Sequence, residues 1–308
     1  MKISTSTFGV IGTYGLEDGL KMLVNAGFEA IDYSITQNAM NWEDPLFQDV
    51  SHAAFAEHFK KTAKIVRGSG LEMYQCHAPY APTHISDHEF YAHLQKQIIR
   101  SIYAAGYMEC PNIVAHPVLH ADFSDGQNKE LARRTTLEHF SAMVPALRET
   151  GVTMCIENLF FTVGRGQPKV INACSEAEEL RHIIDTLNEM HGPLFAACVD
   201  TGHAMLVKQN PAEMLKTLGH RIRVLHIQDN RGIHKDDHLI PTRGIIDWKS
   251  FAAVLGTINY CGTFNFEVTT HFTDFPKDIY SKEAFQQACN LLYAIGCSLA
   301  DIAEGITN

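Results

Sequence analysis

The sequence predicts an α/β protein of the (β/α)8 TIM barrel class, and two observations carry that prediction. Eight short apolar runs, rich in β-branched residues, alternate along the chain with eight longer segments of helical periodicity. Six consecutive runs also end in a histidine or a carboxylate, and parallel barrels carry their chemistry at these strand ends. An open, doubly wound sheet is the alternative, but it requires a phosphate-binding glycine turn, and the GVIGTYG at residues 9–15 is a poor version of one.

The two sets of elements divide the chain between them. The predicted strands cover residues 3–8, 29–34, 71–76, 112–116, 152–157, 195–200, 223–228 and 263–268. The predicted helices cover residues 15–26, 52–68, 88–106, 130–149, 175–190, 211–219, 248–258 and 282–303. Because no low-complexity tract, charge block or Pro/Ser-rich linker interrupts this alternation, residues 1–308 are predicted to form a single domain.

The composition is that of an ordinary globular protein, with 45% hydrophobic and 19% charged residues. A formal net charge of −10 disfavours binding to polyanions, so nucleic acid is not the expected partner. No apolar stretch approaches the roughly 20 residues that span a bilayer, and the N-terminus shows no signal-peptide core. The eight cysteines include no CxxC pair, which is typical of reduced thiols, and we expect a cytoplasmic protein.

Strands three to eight bring six functional side chains to one end of the predicted barrel. These strands end, in order, in His77, His116, Glu157, Asp200, His226 and Glu267. A single one of these could be a hydrogen-bonded loop residue, but six in register indicate a shared site. Buried carboxylates and imidazoles are costly unless they hold something, and a divalent metal is the simplest candidate.

The types of donor narrow the choice of metal. Three carboxylates and an imidazole form a mixed oxygen and nitrogen set, which suits Mn²⁺, Mg²⁺, Co²⁺ or Zn²⁺ and argues against a thiolate-only structural zinc. The four expected ligands are Glu157, Asp200, His226 and Glu267. A second group is expected to bind further metals or to hydrogen-bond substrate hydroxyls: His77, His116, His203, Asp236 and His238.

Short motifs between strands three and eight carry a resemblance to a known family. They are His77-Ala78-Pro79-Tyr80, Ile156-Glu157-Asn158, Asp200-Thr201-Gly202-His203, His226-Ile227-Gln228-Asp229-Asn230, Asp236-Asp237-His238 and Ile246-Asp247-Trp248. Their combination resembles the xylose isomerase-like barrels, a superfamily that includes sugar isomerases and epimerases, inosose dehydratase and zinc-type apurinic endonucleases. The resemblance is specific for the superfamily and much less specific for one activity within it.

For isomerase and epimerase members, the resemblance implies one divalent metal on the four expected ligands, chelating the carbonyl and a neighbouring hydroxyl of a ketose. Moving a proton beside a carbonyl needs a base on one face, and epimerisation needs an acid on the other. Glu157 and Glu267 are assigned this paired catalytic role, while the metal stabilises the enediolate. His203 and Arg231 are expected to contact substrate oxygens, with a solvated loop arginine as the alternative for Arg231. The expected partner is a small sugar or sugar phosphate, and a homo-oligomer stays open.

The chain departs from the family pattern in one loop. Many isomerase-like members carry Pro-Gly-x-Gly before the tryptophan, whereas this chain has Pro241-Thr242-Arg243-Gly244. Losing a glycine changes the backbone angles that the loop can adopt. Arg243 projects a cation near the cleft, where a substrate phosphate or carboxylate is its candidate partner, with a plain surface arginine as the alternative. We expect the change to affect substrate specificity more than the metal site.

Three other functions compete with an isomerase. A trinuclear-zinc hydrolase resembling the apurinic endonucleases would use the five additional donors, but the net charge of −10 and the absence of lysine and arginine from residues 34–50 argue against DNA binding. A dehydratase of an inositol-like ketone would use the same enolate chemistry. A barrel that binds sugar or metal without catalysis would have no need for both glutamates.

Overall fold

The computed structural model describes residues 1–35, 52–80, 88–118, 126–162, 167, 169–233 and 235–306. Eight strands within them pair in parallel, in the order β10-β1-β2-β3-β4-β5-β8-β9. Their bounds are β1 (Ile3–Ser6), β2 (Ala30–Ser34), β3 (Glu72–His77), β4 (Asn112–Ala115), β5 (Thr153–Glu157), β8 (Phe195–Asp200), β9 (Ile222–His226) and β10 (Phe264–Phe266). All eight lie where the sequence predicts strands, so the predicted alternation is confirmed.

The two end strands of this order meet and nearly close the sheet into a barrel. The Ile227 amide donates to the Asn265 carbonyl at 2.8 Å, and the Glu267 amide donates to the Ile227 carbonyl at 3.0 Å. Ile227 also forms a parallel bridge with Phe266. These bonds replace a full ladder between β9 and β10, and the open doubly wound alternative is therefore wrong.

Helices alternate with the strands along the chain. Their bounds are α1 (Phe8–Tyr14), α2 (Leu16–Ala26), α3 (His52–Gly68), α4 (His88–Met108), α5 (Gly126–Ser141), α6 (Val144–Thr150), α7 (Ala177–His191), α8 (Thr201–Leu206), α9 (Pro211–Leu218), α10 (Trp248–Thr257), α11 (Thr269–Thr273) and α12 (Lys282–Ala303). The helix predicted over residues 130–149 is two helices, α5 and α6. Pro145 lies in the first turn of α6, and a proline has no amide with which to continue the preceding helix.

The core lies between the sheet and its covering helices. Large side chains such as Phe59, Phe251 and Phe285 are fully buried there. Inside the barrel, a separate small cluster consists of Val114, Cys155, Cys198 and Val224. This packing leaves the C-terminal strand ends as the polar end of the molecule.

Among the described residues, three short α-helices and one two-stranded hairpin were not predicted from the sequence. They are α1, α8, α11 and an antiparallel hairpin of β6 (Phe161–Thr162) and β7 (Lys169–Val170). Each is too short for its periodicity to stand out against the neighbouring loop. Of the stretch 34–50 noted for its missing basic residues, positions 36–50 lie outside the described residues. No helix among the described residues is long and apolar enough to cross a membrane.

Candidate metal centre

The predicted site residues meet at the C-terminal end of the barrel. His77, Glu157, Asp200 and His226 are the last residues of β3, β5, β8 and β9, and Glu267 directly follows β10. Parallel strands end at the same side of a sheet, so the fold brings together side chains that are far apart in the sequence.

Four of these side chains form one donor cluster. Glu157, Asp200, His226 and Glu267 each contribute a donor atom, and these atoms lie within 4.8 Å of one another. His226 Nδ1 lies 2.9 Å from Glu157 Oε1 and 3.3 Å from Glu267 Oε2. Glu267 is partly exposed, whereas the other three are buried. The structure thus brings together the four ligands expected from the sequence.

The cluster is rich in negative charge. Burial raises the pKa of Asp200 to about 7, and repulsion from Glu157 and Glu267 adds to this effect, while His203 opposes it. A carboxyl pKa this far above its usual value means that the histidines do not stabilise all of the negative charge. A divalent cation would remove that penalty, and the mixed oxygen and nitrogen donors suit one. The residues present therefore fit a divalent metal.

Glu157 lies at the centre of a ring of imidazoles. Its Oε2 is 3.3 Å from His77 Nε2 and 3.0 Å from His116 Nε2, and its Oε1 is 3.4 Å from His203 Nδ1. Burial would raise the pKa of Glu157, but attraction to His226 and His116 outweighs it and holds the pKa well below its usual range. Glu157 therefore stays ionised at neutral pH.

A second donor group lies beside the first and consists of His203, Asp236 and His238. Asp236 Oδ2 is 3.3 Å from His203 Nε2 and 2.9 Å from His238 Nε2. Burial lowers the pKa of His238, but attraction to Asp236 raises it by more, to about 10. This group offers three ligand atoms for a further cation, or a charged pair of donors for substrate oxygens.

Backbone carbonyls orient three of the histidines. The Nδ1 atom of each lies within hydrogen-bond distance of a carbonyl oxygen: His77 with Ala78 (2.6 Å), His203 with Asn158 (3.0 Å) and His238 with Glu267 (2.8 Å). A carbonyl only accepts, so each Nδ1 carries a proton and donates it. Nε2 then faces the carboxylates, which is the arrangement of histidines that bind metals.

Asp32, in the middle of β2, is a functional candidate that the sequence analysis missed. It is buried, and its Oδ2 lies 3.2 Å from His226 Nε2, the ring nitrogen that points away from the donor cluster. The two atoms are close but not aligned for a hydrogen bond, so the contact is electrostatic. Gln75 and Asn265 donate to the same oxygen at 3.2 Å and 3.4 Å. The sequence feature that could have identified Asp32 is an acidic residue inside a predicted apolar strand.

Gln228 is a second residue without an assigned role in the sequence analysis. Its Nε2 donates to Asp200 Oδ2 at 3.2 Å and to Asp236 Oδ1 at 3.1 Å, and so links the two donor groups. A Cβ at Gly202 would lie 2.3 Å from the Gln228 amide carbon. Packing against Gln228 therefore explains the glycine of the Asp200–His203 motif.

The loop between β9 and α10 is anchored by buried Asp229. Its Oδ2 accepts from Trp248 Nε1 at 3.0 Å, and its Oδ1 accepts from the Ile246 amide at 3.3 Å. A Cβ at Gly244 would lie 2.3 Å from Asp229 Oδ1, so this position requires glycine. Thr242 has a φ of 81°, a left-handed conformation that is strained for a β-branched residue. The strain falls at the position where the family pattern carries its other glycine.

The two arginines noted in the sequence lie in different surroundings. Arg231 is half exposed and pairs with buried Asp237, at 2.5 Å from Nη2 and 3.1 Å from Nε. Arg243 is exposed on the loop that holds Thr242. Because the Asp237 pair anchors the Arg231 guanidinium, substrate contact by Arg231 stays a prediction.

A cavity of about 300 Å³ opens beside the donor groups. Its lining includes His116, His203 and Asp236. The rest of the lining consists of aromatic and aliphatic side chains, a threonine and a lysine: Tyr80, Pro117, Leu159, Phe160, Phe161, Thr162 and Lys169. Its volume lies at the lower end of the range for small-molecule sites, roughly 300–1,000 Å³.

Two relatives show how far sequence similarity extends. An uncharacterized protein of Sinorhizobium fredii is 22% identical over 300 residues, which cover 90% of this chain and 87% of that protein. The D-psicose 3-epimerase of Enterocloster bolteae is 24% identical over 141 residues, which cover 46% of this chain and 42% of the enzyme.

Solved structures of similar fold cover nearly the whole chain. A structure of L-ribulose 3-epimerase superposes with a TM-score of 0.70 at 16% identity, over 99% of this chain and 96% of that one. D-allulose 3-epimerase from Methylomonas sp. superposes with a TM-score of 0.69 at 14% identity, over 97% and 98% of the two chains. At these identities the likeness is one of fold. A family model described as the xylose isomerase-like TIM barrel matches residues 20–299, and the chain belongs to that family.

Proposed function

We propose that this protein is a metal-dependent isomerase or epimerase of a sugar or sugar phosphate, and that it acts through an enediolate. The observation that carries the proposal is the convergence of Glu157 and Glu267 on His226 Nδ1. The two glutamates come from separate strands and differ in environment, because Glu157 is buried and Glu267 is partly exposed. Two carboxylates around one small site are what proton transfer beside a carbonyl requires.

In the proposed reaction, one glutamate removes a proton from the carbon beside the ketose carbonyl. The electron pair of the broken C–H bond moves into the carbonyl and forms the enediolate. The other glutamate, in its acid form, returns a proton to the same carbon from the opposite face and yields the epimer. Return of the proton to the former carbonyl carbon, with the hydroxyl proton of the first carbon passing to the former carbonyl oxygen, yields the isomer instead.

Glu157, Asp200, His226 and Glu267 would hold the metal. A divalent cation bound there supplies positive charge where negative charge develops on the substrate oxygen. Gln228 and Asp32 keep Asp200 and His226 in place. His203 donates from Nε2 to a substrate hydroxyl when that nitrogen is protonated, and Arg231 is proposed to contact a second one.

The related proteins support this direction. Solved structures of similar fold include epimerases of L-ribulose and D-allulose, and the partial sequence match is to a D-psicose 3-epimerase. All three names describe epimerisation of a ketose. The same chemistry suits the paired glutamates of this chain.

The test is solvent deuterium exchange into a panel of ketoses in D₂O, with the metal-loaded enzyme. A mass increase of one in the recovered sugar is the expected result. Glu157→Gln and Glu267→Gln should each slow exchange by about 100-fold or more, because general acid–base groups contribute on that scale. Glu178→Gln, on the exposed face of α7, is the matched control and should exchange at the wild-type rate. Wild-type exchange in either active-site variant would refute the paired role.

Phosphodiester hydrolysis is a second candidate, favoured by the donor group His203, Asp236 and His238. Together with His77 and His116, these residues could hold more than one zinc ion. Metal content per chain, measured by mass spectrometry on protein purified without added metal, separates the two candidates. About one Mn, Mg, Co or Zn supports the isomerase. Two or three zinc ions per chain, together with cleavage of abasic DNA, would refute the isomerase and support phosphodiester hydrolysis instead.

We also propose a single domain and a cytoplasmic location. The sheet uses strands from Ile3 to Phe266, and the last helix, α12, contacts α2 and β1 at the start of the chain. All eight cysteines are free thiols, which is typical of a reducing compartment. Limited proteolysis that yielded two stable fragments would contradict the single domain.

A further inference from the structure

We propose that Lys169 forms an anion-binding subsite next to the metal centre, and that the substrate therefore carries a phosphate or carboxylate group. This inference rests on the proposed function, because it concerns the far end of the same substrate. It also names a specificity-determining residue outside the donor groups.

The ammonium group of Lys169 is held in place by neutral neighbours. Its Nζ donates to Thr162 Oγ1 at 2.8 Å across the β6–β7 hairpin. It also lies 4.9 Å from the centre of the Phe160 ring, a cation–π contact. The described part of the chain gives Lys169 no carboxylate partner, so its charge is positioned but not neutralised.

One aromatic ring contacts both the Lys169 ammonium and a histidine of the second donor group. Phe160 contacts Lys169 on the hairpin and packs edge-on against His203, with ring centres 5.1 Å apart. Lys169 and His203 also line the same cavity of about 300 Å³. A substrate bound in this cavity therefore lies in a space that both the ammonium and a donor-group histidine line.

The charges around the cavity favour an anion next to Lys169. Asp236 lines the cavity beside the carboxylates of the donor cluster, and these negative charges disfavour an anionic substituent close to them. Lys169 is the lysine of the described lining, which also includes the apolar side chains of Leu159, Phe160 and Phe161. A hydrogen bond from its ammonium to a phosphate or carboxylate would be charge-assisted, and such bonds are stronger than neutral ones.

The main test compares three ketoses of the same stereochemistry: the neutral sugar, its terminal phosphate and its terminal carboxylate. Deuterium exchange gives kcat/KM for each. We expect one anionic form to exceed the neutral form by about tenfold or more, the scale of one charge-assisted hydrogen bond. Lys169→Gln should lower this ratio about tenfold, and Lys169→Arg should keep most of it. Lys277→Gln, at an exposed lysine away from the cavity, is the control.

The anionic form that responds to Lys169→Gln identifies the phosphate or the carboxylate as the natural group. Exchange into all three sugars with the same kcat/KM would overturn the subsite and leave the proposed function standing. If no sugar exchanges deuterium, the proposed function is refuted, and a measurement of phosphate binding then tests the anion subsite by itself. Inorganic phosphate should then raise the melting temperature of wild type and Lys277→Gln more than that of Lys169→Gln. Equal shifts in all three proteins would overturn the subsite.

Discussion

Glu157 is the residue on which the candidate centre converges. Four imidazoles surround its two oxygens, at distances from 2.9 Å to 3.4 Å, and it is fully buried. Such a carboxylate could belong to a site with one metal ion or to a site with more than one. It is a member both of the four-donor cluster and of a second donor group with His77 and His226. The number of cations that bind, and therefore the reaction class, depends on how many of these imidazoles stay neutral.

The substitution Asp32→Asn tests the role of the carboxylate that lies next to His226 Nε2, the ring nitrogen pointing away from the donor cluster. The variant keeps the shape of the side chain but removes the negative charge 3.2 Å from His226 Nε2. Loss of such a partner typically weakens metal binding by about 10–100-fold. Competition with a fluorescent chelator measures this affinity. Asp18→Asn, at an exposed carboxylate, should bind metal as wild type does.

His139 should make the stability of the protein depend on pH. Burial lowers its pKa to about 4, and its Nδ1 lies 2.8 Å from the Tyr91 hydroxyl. Because the folded pKa lies below the usual 6.5, the unfolded chain binds more protons at acidic pH. The contribution of His139 to stability is therefore complete above about pH 6.5 and is lost as the pH falls towards 4.

Denaturant unfolding at pH 7 and pH 5 measures this contribution. Between these values the free energy of unfolding of wild type should fall by about 2 kcal/mol more than that of His139→Gln, a difference that follows from the shift in pKa. His182→Gln, at an exposed histidine of α7, should keep the wild-type dependence. The same pH dependence in His139→Gln and wild type would contradict the prediction.

At the scale of elements, the loop between β9 and α10 contains one glycine that its surroundings require and one non-glycine residue with a strained backbone. Gly244 fits against Asp229, whereas Thr242 holds a left-handed φ of 81°. The loop ends in an ordinary helix cap, because Asp247 accepts from the Ser250 amide at the start of α10. The departure from the family pattern thus appears as local backbone strain, and the hydrogen bonds on either side keep the loop in place.

Thr242→Gly should release that strain. The side chain is exposed, so few contacts are lost, and glycine adopts the positive φ without steric cost. We expect the free energy of unfolding to rise by about 1 kcal/mol, the strain of a non-glycine residue at this φ less the added flexibility of the unfolded chain. Denaturant unfolding measures the change. Thr257→Gly, in the last turn of α10, should lower stability instead.

At the scale of the whole molecule, the candidate ligands lie on both sides of the seam that closes the barrel. His226 ends β9 and Glu267 follows β10. Among the described residues, the backbone hydrogen bonds that join these two strands are those of Ile227. A cation held by His226 and Glu267 would therefore fasten the barrel at its least paired position.

Amide hydrogen exchange tests this coupling. Adding Mn²⁺ to chelator-treated protein should slow exchange at the Ile227 and Glu267 amides, which bridge the seam. Global stability should also rise, by about 2.7 kcal/mol at a metal concentration 100 times the Kd. The Met154 amide, bonded to the Leu194 carbonyl at the opposite end of the barrel, should respond only to the global change. Equal protection at all three amides would show that the seam is not specifically stabilised.

The sequence by itself determined the order and type of the long elements. Periodicity and apolar runs are local properties, so they located all eight strands of the barrel. The polar residues at the strand ends also indicated one shared site, because parallel strands end on the same side. Pro145 was a local signal too, and it could have predicted the break in the helix expected over residues 130–149.

Only the tertiary structure decided how those residues face one another. The partner of each side chain lies on another strand, so no spacing in the sequence shows Asp32 behind His226 or Gln228 between Asp200 and Asp236. The carbonyls that orient the histidines and the left-handed backbone at Thr242 are likewise set by packing. The same holds for Lys169, whose place beside the cavity depends on a hairpin too short to leave a periodic signal, with its ammonium held against Phe160.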